Sequence, residues 1–245
     1  MRGRWISLSL PRRLVSDLLS FAVKMPILPV QRQMQLGPLK MARAVRSARP
    51  SWVALFLKAF ALTAQEFPEL RRVYLKFPWP HLYEYHDSVA MLTVERSMEG
   101  EPAVLLMRLR TPARMSLTQI DEAIRNAQTA PIESIKEFRR ELLLACLPLV
   151  LRRSLLWLAL NVPRQRPHYF GTFCFTDLSP LGTESLRPLY PATVTLYYGQ
   201  IAEDGTVVVR AAYDHRVLDG ATIARALTRL EQLLNGEVAA ELRRI

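Results

Sequence analysis

An α/β fold is predicted for this 245-residue chain by three observations. Helical and strand-like segments alternate along it, and no repeat or low-complexity linker divides them. Half of the residues are hydrophobic, enough to bury a sizeable core without staples. Residues 1–245 are accordingly expected to form a single domain.

Leu10 to Lys24 reads as a helix, because Pro11 suits a first turn and Leu14, Leu18, Leu19 and Ala22 fall on one side. Ile27 to Leu36 looks extended. The run SWVALFLKAFALTAQEF, 51 to 67, is a mostly apolar helix with a serine at its start, suited to burial on more than one side. The strand-like runs SVAMLTVER and EPAVLLMRLR flank a turn at Gly100, and Ser116 with Gln119 forms a capping box for SLTQIDEAIRNAQ. YFGTFCFTDL reads as a strand ending in polar residues. ATVTLYYGQIA and TVVVRAAYDH read as strands joined through Glu203-Asp204-Gly205, a hairpin signal. From 220 to 234, Ile223, Ala226, Leu227, Leu230 and Leu234 follow helical spacing.

The formal charge of +11 favours anionic partners: coenzyme phosphates, an acidic carrier protein, anionic lipid or nucleic acid. No zinc-finger spacing or continuous basic helix accompanies that charge, so specific nucleic-acid binding is not expected. Cys146 and Cys174 make no disulfide framework, which points to a reducing compartment, the cytoplasm. The amino end, MRGRWISLSLPRRLVSDLLSF, does not read as a signal peptide. Neither a phosphate-binding glycine loop nor a nucleophile elbow occurs, which disfavours nucleotide hydrolysis and serine-hydrolase chemistry. His81 and His86 in HLYEYH would face opposite sides of a strand and have no evident third partner, so no metal site is expected.

Attention therefore falls on AAYDHRVLDGATIARAL, where a buried strand gives way to a packed helix. An imidazole titrates near neutrality, so His215 can take a proton from a thiol or hydroxyl and return it later. Asp219 either fixes the loop or meets a reactant, and Gly220 would let the chain turn tightly into the helix. A structural or exposed histidine is the plain alternative.

YDHRVLDGA resembles the active-site signature of the acyltransferase core of 2-oxoacid dehydrogenase complexes, relatives of chloramphenicol acetyltransferase: a histidine, three residues, then Asp-Gly. Asp214 to Gly220 fit that pattern in succession. About forty residues upstream, GTFCFTDLSPLG resembles the family's Gly-Thr-Phe-Thr-Ile-Ser-Asn-Leu-Gly. PRRLVSDLL is similar to the family's opening helix, and WVALFLKAFALTAQEFPELRR to its helix leading to Pro-Glu-Leu-Asn. The resemblance covers most of the chain, weakly from about 96 to 165. It implies a two-layer chloramphenicol acetyltransferase-like fold, a mixed sheet packed against helices, assembled as a homotrimer.

Carried over residue by residue, the resemblance makes His215 the general base and Thr176 the hydroxyl that donates to the oxyanion, the two coming from neighbouring subunits. Asp219 would hold the histidine loop through Arg12 or Arg13, with Gly220 in support. Proton transfer of this kind contributes about 10²- to 10⁴-fold, and one oxyanion donor about 3 kcal/mol. The sequence departs from the family in lacking a lipoyl domain and swinging linker, so a standalone transferase is expected. Thr176-Asp177-Leu178-Ser179 replaces Ser-Asn-Leu-Gly, which changes the fine shape of the channel.

The passage ELLLACLPLVLRRSLLWLALNVPRQRPHYF is almost wholly apolar from 142 to 160 except for Arg152, Arg153 and Ser154. A membrane span would bury two arginines at about 2.5 to 3.5 kcal/mol each, and Pro148 would break it, so no span is expected. Three readings stay open for 142–166: a helix pair on an anionic membrane surface, the wall of a tunnel for a long acyl chain, or core and trimer interface.

The sequence thus supports an acyltransferase that moves an acyl group from a coenzyme A or acyl carrier protein thioester to an alcohol, amine or thiol, with no tightly bound cofactor. The leucine-rich middle favours a fatty or lipid-linked substrate, handled in the cytoplasm or at the inner face of the membrane. A non-catalytic trimeric scaffold and a membrane-surface binding module are the alternatives.

Overall fold

The structure, a computed structural model, describes residues 3–45, 49–98, 100–177, 179, 182–183 and 186–244. In chain order the elements are α1 (Leu10–Ala22), β1 (Ile27–Gln35), α2 (Gly37–Ala44), α3 (Trp52–Glu66), β2 (Arg72–Leu75), β3 (His81–Glu84), β4 (Val89–Met98) and β5 (Glu101–Arg110). Then come α4 (Leu117–Thr129), α5 (Lys136–Cys146), α6 (Leu149–Asn161), α7 (Arg166–Phe170), β6 (Phe173–Phe175), β7 (Val194–Tyr198), β8 (Thr206–Asp214), α8 (Gly220–Leu233) and α9 (Ala239–Arg244).

Local chemistry sets the helix starts. Pro11 lies in the first turn of α1, Ser51 Oγ accepts from the Ala54 amide at 3.2 Å, and Ser116 and Gln119 complete their capping box. Pro148 separates α5 from α6. One strand reading needs correction: Tyr169 and Phe170 end a short helix, and only Phe173–Phe175 are extended. Pro167 starts that helix and Gly171, at φ +66°, stops it. His168 is therefore helical.

Six strands form a mixed sheet in the order β1-β8-β7-β6-β4-β5, while β2 and β3 make a separate ribbon. The β4–β6 and β6–β7 pairs are parallel, and the remaining pairs antiparallel. Side chains alternate between faces. The first face, with Leu92, Leu105, Phe173, Leu196 and Val209, packs against α3, α4 and α8 in the main core. Almost all of α3 is buried, as its apolar run predicts.

The second face carries Met91, Thr93, Leu106, Cys174 and Thr176, and among the described residues helices cover it mainly at β4–β5. There α1 and α5 pack on β5, and Leu156, Ala159, Leu160 and Phe170 form a small core with Leu18 and Leu144. A partial third layer is thereby added to the two expected ones. It is anchored by Asp17, whose buried carboxylate accepts from Arg152 and, at 2.8 Å, from Arg153. The two arginines that argued against a span thus hold α6 to α1. Among the described residues, no helix is long and apolar enough to cross a membrane.

Candidate active site

His215 leaves β8 where its backbone amide donates to Pro26 O at 3.1 Å. Its ring is exposed, stands edge-on to Tyr213 with centroids 5.8 Å apart, and places Nδ1 2.9 Å from Leu218 O. A carbonyl only accepts, so Nδ1 carries the ring proton and Nε2 keeps a free lone pair. That is the tautomer a general base needs.

The loop is braced from both sides. Buried Asp214 accepts from the Arg216 amide at 3.0 Å and from its guanidinium at 2.9 and 2.7 Å, while that guanidinium lies 4.4 Å from the Tyr74 ring centroid. Asp219 caps α8, its carboxylate accepting from the Thr222 amide at 2.7 Å. This bond holds the Asp219 carboxyl below its ordinary range. Two expectations need correction within one chain. Gly220 opens α8 without a left-handed φ, and a Cβ there would meet only Tyr213 Oη at 3.7 Å, so no tight turn demands glycine. Arg12 and Arg13 lie far from Asp219: the start of α1 sits against the β4–β5 turn, and Arg13 Nε donates to Leu8 O at 3.1 Å.

Thr176 follows β6 on the second face, its amide donating to Leu196 O at 3.1 Å. Thr93, its neighbour on β4, donates its hydroxyl to Thr176 Oγ1 at 2.9 Å. The acceptor side of Thr176 is thereby used, which leaves its own proton free for another oxygen. Leu178, in the segment compared with the family's Ser-Asn-Leu-Gly, lies outside the described residues. Sequence reasoning missed Thr93, whose signal is a hydroxyl between apolar Leu92 and Val94. It gave no role to Gly171 at the head of GTFCFTDLSPLG, where a Cβ would come within 2.7 Å of Met91 Cγ and Val89 O.

The register separates the two halves. Phe175 is level with Leu196, and Leu196 with Ala211, so Thr176 falls level with Arg210. His215 lies five residues further on, about 17 Å along the strand at 3.3 to 3.4 Å per residue. Within one chain, Thr176 lies level with the middle of the sheet and His215 beyond one end of β8, so the two do not meet.

No family model matches this sequence, and no curated protein matches it. Solved structures do. Over 96% of this chain and 93% of the other, it superposes on dihydrolipoamide acetyltransferase from Azotobacter vinelandii with a TM-score of 0.70 at 16% identity. The chain has a chloramphenicol acetyltransferase-like fold. Chloramphenicol acetyltransferase itself gives a TM-score of 0.53 at 16% identity over 93% of this chain and 98% of its own. The cubic core of the pyruvate dehydrogenase multienzyme complex gives 0.65 at 17% identity, over 96% and 93%. In the Azotobacter enzyme, a serine, a histidine and an asparagine four residues after that histidine were investigated for their role in the catalytic mechanism.

Proposed function

We propose that this chain is an acyltransferase whose active site is completed between two copies of the fold. The observation that carries the reading is His215 itself: exposed, its Nδ1 engaged by Leu218 O, its Nε2 free, on the loop whose residues match the acyltransferase signature. Asp219, four residues on, stands where the Azotobacter enzyme has its asparagine.

His215 Nε2 takes the proton of an alcohol, amine or thiol as that atom attacks the carbonyl carbon of a thioester. The new oxyanion accepts from Thr176, whose proton the Thr93 contact leaves free. Collapse breaks the carbon–sulfur bond, and the departing thiolate takes the proton back from the imidazolium. The products are the acylated acceptor and a free thiol. Coenzyme A or acyl carrier protein is the proposed donor, in keeping with the excess of positive charge.

The separation of Thr176 from His215 bears on assembly. Thr176 stands at mid-sheet and His215 beyond the end of β8, so the proposed pairing joins unlike surfaces of neighbouring copies. Unlike surfaces that close on themselves make a ring, and a homotrimer is the proposed one. A second reading, contact with an anionic membrane through residues 142–166, is supported by exposed Val150, Leu151, Leu155, Trp157 and Leu158 beside exposed Arg153 and Arg164.

Release of free thiol from a panel of acyl-coenzyme A and acyl-carrier donors, with lipid, amine and thiol acceptors, tests the reading. Turnover by the parent that collapses in His215→Ala supports it. Equal rates in the two proteins contradict it.

A further inference from the structure

Between α1, α5, α6 and β5 lies a cavity of about 170 Å³ walled by Leu14, Leu18, Leu106, Leu144, Leu156 and Phe170. Leu19 and Val104 also border it and are 40% and 48% exposed, so it opens to the surface. Three polar groups besides Tyr169 break the apolar wall. Thr93 is the first, and one hydrogen bond separates it from Thr176 Oγ1. Tyr190 is buried, and its hydroxyl has no partner among the described residues. An unpartnered buried hydroxyl costs stability and points to an occupant that brings a polar atom to it. Glu141 is the third, its two oxygens 3.1 and 3.2 Å from the Leu106 amide on the edge strand.

We infer that this cavity takes the acyl chain of the thioester donor, an uncharged aliphatic group of about six to eight carbons, since a 150 Å³ apolar cavity accommodates benzene. The inference rests on the acyl-transfer reading, because it is Thr176 that sets the carbonyl beside the Thr93 wall. The thioester carbonyl also supplies the polar atom that the Tyr190 hydroxyl lacks. Burial pushes the Glu141 carboxyl up to about 8, so at neutral pH the wall presents an acid rather than a carboxylate to an apolar chain. The leucines that read as tunnel wall or core are thus divided: Leu144 and Leu156 face the cavity, and Val150, Leu151 and Leu158 face outward.

The test compares acyl-coenzyme A donors from acetyl to palmitoyl in the parent, in Leu144→Trp, which fills the cavity, and in Val15→Phe, which narrows it from α1 should the first variant fail to fold. Turnover in the parent should rise by up to about fourfold per methylene and peak at about six to eight carbons. The octanoyl-to-acetyl ratio should fall at least about tenfold in either variant. Chain-length preference that is flat, or that a folded variant leaves unchanged, overturns the pocket while acyl transfer stands. Calorimetric binding of N-methyloctanamide separates the two ideas: binding by the parent that the variants lose, with no turnover of any donor, keeps the pocket and removes the transferase. No binding of N-methyloctanamide, together with no chain-length preference, removes the pocket outright.

Discussion

The second face of the sheet has two unlike halves. Over β4 and β5 it is roofed by α1, α5 and α6, with Asp17 tying α1 to Arg152 and Arg153. Over β8 and β1 it carries Arg210, Gln31 and Gln33, with both glutamines exposed and Gln31 accepting from Arg210 at 3.1 Å. The roofed half can shelter an apolar chain, whereas the polar half suits a surface that hydrogen-bonds, and a second copy is the proposed one. The proposed substrate pocket and the proposed subunit contact thus share one face, on either side of Thr176.

The largest effect is expected at the loop beyond β8. Replacing His215 with Ala should lower thiol release about 10²- to 10⁴-fold while circular dichroism stays unchanged, because the ring is exposed, with Leu218 O and Tyr213 beside it. On the roofed half, Asp17→Ala leaves buried Arg152 without its counter-charge and should cost about 3 to 5 kcal/mol in denaturant unfolding. A loss below about 1 kcal/mol would mean that α6 is held by packing alone, which would break the contrast.

Gly171→Ala, where φ is +66° and a Cβ would press on Met91 and Val89 O, should cost about 1 to 3 kcal/mol by the same measurement. Glu141→Gln sharpens the comparison through pH. The native carboxyl, with its pKa raised to about 8, binds a proton that the unfolded chain has released above the ordinary value of 4.5, so parent stability should fall as pH rises from 4.5 to 8. Gln keeps an oxygen for the Leu106 amide and should flatten that slope, gaining about 1 to 3 kcal/mol at pH 8.5. The smallest effect on stability, within about 0.5 kcal/mol, is expected for the double change Leu151→Ser and Leu158→Ser on the outward face of α6. If that face meets membrane, sedimentation of the parent with anionic vesicles should be reduced in the double variant.

The legible parts of the molecule are the local ones. The capping box, the hairpin before β8 and the strand-to-helix loop of His215 are written in residues a few places apart, and spacing alone finds them. Asp17 and Arg152 stand 135 positions apart, so no window on the sequence pairs them, and the roof over β4–β5 stayed undecided among membrane, tunnel and core. Thr93 was missed for a similar reason: its relation to Thr176 exists only through the parallel β4–β6 register. Gly220, prominent in the motif, does no special backbone work, while Gly171, which opens the second matched segment and was given no role there, does.

The central claim is that one copy's His215 works with another copy's Thr176, and mixed assemblies test it most directly. His215→Ala and Thr176→Ala, each nearly inactive alone, would be unfolded together, reassembled at equal amounts and assayed for thiol release against each variant reassembled alone. The account predicts recovery toward about one site in four, because random ring assembly pairs an intact histidine with an intact threonine at that frequency. A mixture no more active than its separate components, from samples that have exchanged subunits, would contradict a site shared between copies.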